Sequence, residues 1–99
     1  MPDVTSEASR LLGLRLRERR LALSLNQEAV ALAAGLNVSN YARIDRGHGN
    51  PTFHTLVRLA VVLDVDLSEL LAGLNSALLP HRGTDVRMSQ AGLMPYSAL

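Results

Sequence analysis

The sequence predicts a small all-α domain, and three observations carry that expectation. Aromatic residues make up only 3% of the chain while apolar residues make up 47%, so the core must be built from Leu, Val and Ala. That composition suits packed helices better than sheets. Apolar residues recur at i, i+3 and i+4 in successive short stretches, which is the period of a helix face. Between those stretches stand residues that cap or break helices, among them Asn26, Gly35, Asn37, Gly47, Pro51 and Thr52. Ninety-nine residues suffice for one compact domain and are too few for two.

Taken in order, Met1 to Val4 is expected to fray. Thr5 or Ser6 can cap a first helix, with Glu7 near its positive end. Leu12, Leu16 and Arg20, with Leu23 beyond, have the spacing of its inner face, and it should end near Leu23 to Leu25. Gly13 weakens that helix by about 1 kcal/mol relative to Ala, which points to a close packing contact there. Asn26 can cap a second helix, Gln27 to Ala34, with Val30, Ala31 and Ala34 on one side. Asn37 repeats the device for a third, Val38 to Arg46, with Tyr41, Ala42 and Ile44 on one side. The run Arg46-Gly47-His48-Gly49-Asn50-Pro51 must be a loop, and its glycines let the backbone approach another molecule closely.

Thr52 can cap a fourth helix with an apolar stripe of Phe53, Leu56, Leu59, Ala60 and Leu63. Asp66 to Glu69 resembles a capping box for a fifth, in which Leu67, Leu70 and Leu71 pack inward. This organisation makes residues 1–10 an N-terminal extension and the start of helix 1, residues 11–74 the domain, and residues 75–99 a tail. In the tail, Val86 and Met88 alternate as in a short strand, and Leu93, Met94, Tyr96 and Leu99 are too apolar for a solvating segment. A dimerisation or docking element is favoured over disorder.

The turn between the second and third helices bears on function. Ala34-Gly35-Leu36 needs a residue tolerant of positive φ, which Gly35 supplies. Helices joined so tightly cross steeply, and the second is pushed outward, in the geometry that lets a helix enter a DNA major groove. Charge supports the same partner. The net charge is +1, but residues 8–58 carry eight arginines against Glu18, Glu28 and Asp45, a local balance of +5. Residues 59–75 carry only Asp64, Asp66 and Glu69. Basic clustering suits a polyanion, although arginine-rich helices are also often merely solvated.

Other classes are disfavoured. The chain has no cysteine, hence no disulfide framework and no thiolate metal site. His48, His54 and His81 lack metal-ligand spacing, and no nucleophile motif or phosphate-cradling glycine loop follows a strand. No enzyme activity, cofactor or metal is expected. Neither a membrane span nor a leader peptide is evident, which makes a cytoplasmic protein the expectation.

Leu16, Arg20, Gln27, Val30, Ala31, Ala34, Gly35, Ile44, Asp45, Gly47, Pro51, Leu56, Leu59, Ala60 and Leu63 also fall in a familiar order. From Leu12 to about Leu71 the chain resembles the phage-repressor/Cro-like helix-turn-helix family, also called the xenobiotic-response-element (XRE) family. The resemblance implies a five-helix, lambda-repressor-like domain and a transcriptional regulator, bacterial or phage and nucleoid-associated, binding double-stranded DNA as a homodimer on a two-fold operator. It places Val38, Ser39 and Arg43 at base-facing positions, with Asn40 beside them. Gln27 matches a glutamine that bonds phosphate from the start of the second helix, and Asn26 beside it is expected to contact phosphate as well. Arg46, His48 and Asn50 would lie beside the phosphates. Arg20 and Asp45 match a structural Arg–acid pair, with Asp45 shorter than the usual glutamate. Val38 and Tyr41 depart from the family pattern, which has a polar reader and an aliphatic residue there. Two rival readings are a protein-interaction module and an antitoxin whose tail masks a toxin partner.

Overall fold

The computed structural model describes residues 6–79, in which five α-helices and one 3-10 turn follow one another without a strand. The helices are α1 (Glu7–Ala22), α2 (Gln27–Ala34), α3 (Val38–Asp45), α4 (Phe53–Val62) and α5 (Leu67–Leu71), and the 3-10 turn is Ser76–Leu78. The strand-like pattern at Val86 and Met88 lies outside the described residues.

Local chemistry sets the first four helix starts. The side chains of Ser6, Asn26, Asn37 and Thr52 accept hydrogen bonds from the N–H groups of Ser9, Ala29, Asn40 and Thr55, at 3.0, 2.7, 3.2 and 3.1 Å. Each satisfies one of the donors that a helix leaves unpaired in its first turn. The capping box expected at α5 does not form. Asp66 makes no side-chain cap bond, and the Glu69 N–H is satisfied instead by the Asp66 backbone carbonyl at 2.9 Å. Gly35 ends α2 in the left-handed region, at φ 70° and ψ 33°, as the turn requires.

Packing then joins distant stretches. α1 lies against α3 and α5, α2 against α3 and α4, and α4 against α5. The shared core contains Leu12 and Leu16 of α1, Val30, Ala31 and Ala34 of α2, and Tyr41 and Ile44 of α3. Leu59 and Ala60 of α4, with Leu63 and Leu70, complete it. Gly13 has the close contact its sequence context predicts. A Cβ there would lie 2.6 Å from both the Gly47 nitrogen and the Ile44 carbonyl oxygen. Only glycine lets α1 approach the end of α3 that closely.

Phe53 departs from the expected stripe. It is 64% exposed, while Leu56 is half-buried and Leu59 is fully buried. The i, i+4 line through residue 53 continues to Val57 and Val61, which are also exposed. Phe53 therefore belongs to the outer line of α4, on the far side from the Leu59–Leu63 line that meets the core.

Candidate nucleic-acid interface

The inward face of α3 is held by one buried carboxylate. Asp45 accepts four hydrogen bonds. Oδ1 receives Arg20 Nε at 3.1 Å and the Tyr41 hydroxyl at 2.9 Å, and Oδ2 receives Arg20 Nη2 at 3.1 Å and Gln27 Nε2 at 3.0 Å. Arg20 also donates from Nη1 to the Leu25 carbonyl at 3.0 Å. This network ties α1, α2 and α3 together. Among the described residues no buried side-chain nitrogen or oxygen lacks a partner, which is the condition for such a network to stabilise a core.

Burial pushes the Asp45 carboxyl upward, but the hydrogen bonds from Arg20, Gln27 and Tyr41 outweigh it and the net shift is down. The bond to Asp45 holds the Arg20 guanidinium above its ordinary value. Burial, and then the Asp45 charge, push the Tyr41 phenol far above its ordinary range. Tyr41, which departs from the family's aliphatic pattern, is fully buried, and its hydroxyl is satisfied inside the core by this carboxylate.

The outward face of α3 carries the residues at the base-facing positions. Val38 is 36% exposed, Ser39 and Asn40 are exposed, and Arg43 is half-buried. Asn40, Arg43 and Asn50 converge on a groove of about 350 Å³ that Thr52 and Thr55 also line. Val38 and Ser39 lie outside that groove. The two threonines are additions to the expected set. The sequence signal for them was the cap at Thr52, which starts α4 directly after the loop.

The loop itself is seated by α1. The Ser9 hydroxyl donates to the Gly49 carbonyl at 3.1 Å, and a Cβ on Gly47 would lie 3.1 Å from the Arg10 Cα. Both glycines adopt positive φ, 88° at Gly47 and 84° at Gly49. Arg46 ends α3 as its exposed C-cap, His48 is half-buried, and Asn50 is exposed.

Two expected phosphate ligands have internal bonds. Asn26 Oδ1 caps α2, which leaves its amide nitrogen for an outside acceptor. Gln27 gives one amide hydrogen to Asp45, so a phosphate contact would use the second hydrogen. The basic segment also divides differently from its charge count. Arg10 pairs with Glu7, Arg15 donates to the Leu70 carbonyl at 3.0 Å, and Arg19 donates to the Leu63 and Asp64 carbonyls at 2.7 and 2.9 Å. Arg15, Arg19 and, through Asp45, Arg20 fasten one element of the domain to another, and Arg10 pairs within α1. The balance of +5 therefore gives no map of a DNA-facing patch.

An α2–α3 pair joined through the left-handed Gly35, a fully satisfied inner network and an α3 whose first turn is exposed define an all-helical domain of the lambda-repressor-like fold. The chain belongs to the helix-turn-helix family, of the XRE type, whose family model matches residues 16–70. Over 56 residues it is 32% identical to the cryptic phage CTXphi transcriptional repressor RstR of Vibrio cholerae, a match covering 57% of this chain and 50% of that protein. The chain thus spans about half the length of the curated relative it matches. Among solved structures it is similar to the restriction-modification controller protein C.AhdI from Aeromonas hydrophila, at 37% identity and a TM-score of 0.61. That similarity covers 63% of this chain and 94% of the controller protein. The competence regulator ComR from Streptococcus vestibularis is similar at 26% identity and a TM-score of 0.63, over 69% of this chain and 23% of that one. These relatives are regulators, not enzymes.

Proposed function

We propose that this protein is a sequence-specific transcriptional regulator that binds double-stranded DNA as a homodimer on a two-fold operator, with α3 as the reading helix. One observation carries the reading. The inner side of α3 is locked by the Asp45 network, while Val38, Ser39 and Asn40 are exposed in its first turn and Arg43 is half-buried one turn on from Ser39. A helix so fixed can enter a major groove without losing order of its own. The likeness to a phage repressor supports the same assignment.

In this reading Arg43 grips a guanine edge through O6 and N7, a contact worth about 1–3 kcal/mol of discrimination. Ser39 and Asn40 read neighbouring edges, and Val38 touches a thymine methyl. Asn26, Gln27, Arg46, His48 and Asn50 hold phosphate, with α2 aiming its N-terminus at the backbone. Because the α3 readers are mostly short, DNA shape and half-site spacing of about 34 Å supply part of the selectivity.

Titrating duplex DNA at several salt concentrations tests the proposal. The logarithm of affinity should fall linearly with the logarithm of salt, because neutralised phosphates release counterions. A flat dependence would reject the reading. On selected operators, Arg43→Ala should relax preference at one position in each half-site, whereas Arg46→Ala should weaken all sequences alike.

A further inference from the structure

The loop after α3 is held by α1 and touched by the arginine that reads. The Ser9 hydroxyl donates to the Gly49 carbonyl at 3.1 Å, across 40 residues of sequence. Ser6 sets the direction of that bond. Its hydroxyl donates to Ser9 Oγ at 3.1 Å, and its oxygen accepts the Ser9 N–H at 3.0 Å. Ser9 Oγ therefore accepts from Ser6 and gives its own proton to Gly49. At the same glycine, Arg43 Nη2 lies 3.9 Å from the place a Cβ would take. The loop also folds onto the last turn of α3, where the His48 N–H donates to the Arg43 carbonyl at 2.9 Å. Arg43 thus meets the loop twice, through its carbonyl and beside its guanidinium.

We infer that Ser9 is a positioning residue for base recognition: by holding Gly49 it fixes where the Arg43 guanidinium rests before DNA arrives. The inference rests on the regulator reading above and adds a residue of α1 to its specificity. A guanidinium on a long stem has many rotamers, whereas a two-bond guanine contact accepts one plane. Ordering such a side chain during binding subtracts from affinity, and resting it beforehand removes that cost.

The loop has little stiffness of its own. Gly47 and Gly49 stand at φ 88° and 84°, and glycine has the widest conformational range of any residue. The shape of the loop is therefore set by what it touches, and Ser9 supplies a side-chain bond from α1. Arg43, Gly49 and Asn50 line one groove with Asn40, so a shift of the loop moves the wall beside the arginine. Ser9 itself is half-buried and stands outside the apolar core. Losing its hydroxyl leaves that core intact and the Gly49 carbonyl without its donor. The penalty then falls on the contact Arg43 makes, while Ser39 and Asn40 keep theirs.

The full chain is tested on a duplex that the parent selects from a random pool, and on every single-base variant of it. Arg43→Ala identifies the position that Arg43 reads. Ser9→Ala should lower discrimination at that position at least about threefold, with every other position within about twofold of the parent. Ser9→Thr keeps a hydroxyl and should restore the parent profile. In the Arg43→Ala background, Ser9→Ala should cause no further loss, because both residues act through one contact. Leu70→Val, a buried change in α5, controls for lost stability and should leave the profile unchanged.

An unchanged profile in Ser9→Ala would overturn the inference. So would an equal loss at all positions, an additive loss in the double variant, or the same loss in Leu70→Val. A Ser9→Thr protein as stable as the parent that fails to restore the profile would also reject it. If Arg43→Ala relaxes no position, Arg43 is not a reader and the role of Ser9 falls with it. The regulator reading fails separately. A parent without salt-dependent duplex binding counts against that reading, whereas selective, salt-dependent binding that survives Ser9→Ala unaltered counts against Ser9 alone.

Discussion

The two faces of α3 contrast within eight residues. Inward, Tyr41, Ile44 and Asp45 are buried, and the polar atoms of the Asp45 network bond to named partners in α1 and α2. Outward, Ser39 and Asn40 are exposed and contribute nothing to the core. The contrast teaches that the helix is not stable on its own account. Eight residues are too few to hold a helix in water, so its order is borrowed from packing on one side. The other side is thereby released for recognition. Substitutions on the inner face should change stability, and those on the outer face should change binding.

The strongest test is Asp45→Ala. It leaves the buried Arg20 guanidinium unpaired and should cost about 3–5 kcal/mol in urea denaturation. A loss below 1 kcal/mol would show that the inner face is not the anchor. The pH dependence has a definite sign. The folded carboxyl titrates below its unfolded value, so its contribution is present above the ordinary carboxylate range and is lost as pH falls through the folded value. The stability gap between the parent and Asp45→Asn should therefore narrow in acid.

Tyr41→Phe comes next. It removes a donor to a buried charge while keeping the ring, and about 1.5–3 kcal/mol should be lost in the same denaturation assay. Gly13→Ala tests propensity against packing. Helix propensity alone predicts a gain of about 1 kcal/mol, but a Cβ 2.6 Å from two backbone atoms should force a net loss of about 1–3 kcal/mol. A gain in melting temperature would overturn the close α1–α3 contact. At the small end, Ser39→Ala on the outer face should stay within about 0.5 kcal/mol of the parent in stability. Any effect on operator binding would then be read without a folding correction.

Sequence and structure agree where the determining chemistry is local. Ser6, Asn26, Asn37 and Thr52 cap their helices with neighbours three residues on, and Gly35 adopts the positive φ its turn demands. Gly13 was legible as an anomaly, since a glycine inside a helix needs a reason. The Arg20–Asp45 pair was legible only through family resemblance, because 25 residues separate the partners.

What the chain alone could not supply was the assignment of side chains with several available partners. The family resemblance marks Gln27 as a phosphate ligand, and one of its amide hydrogens is taken by Asp45. Arg15 and Arg19 read as part of a basic patch, yet they satisfy carbonyls at the ends of α4 and α5. Phe53 fits a helical apolar stripe by spacing, but which line of a helix meets the core depends on neighbours far along the chain. Caps, turns and helical periods are decided within four residues, and the sequence determined them. The partners of long polar side chains and the buried side of α4 required the helices to be assembled first.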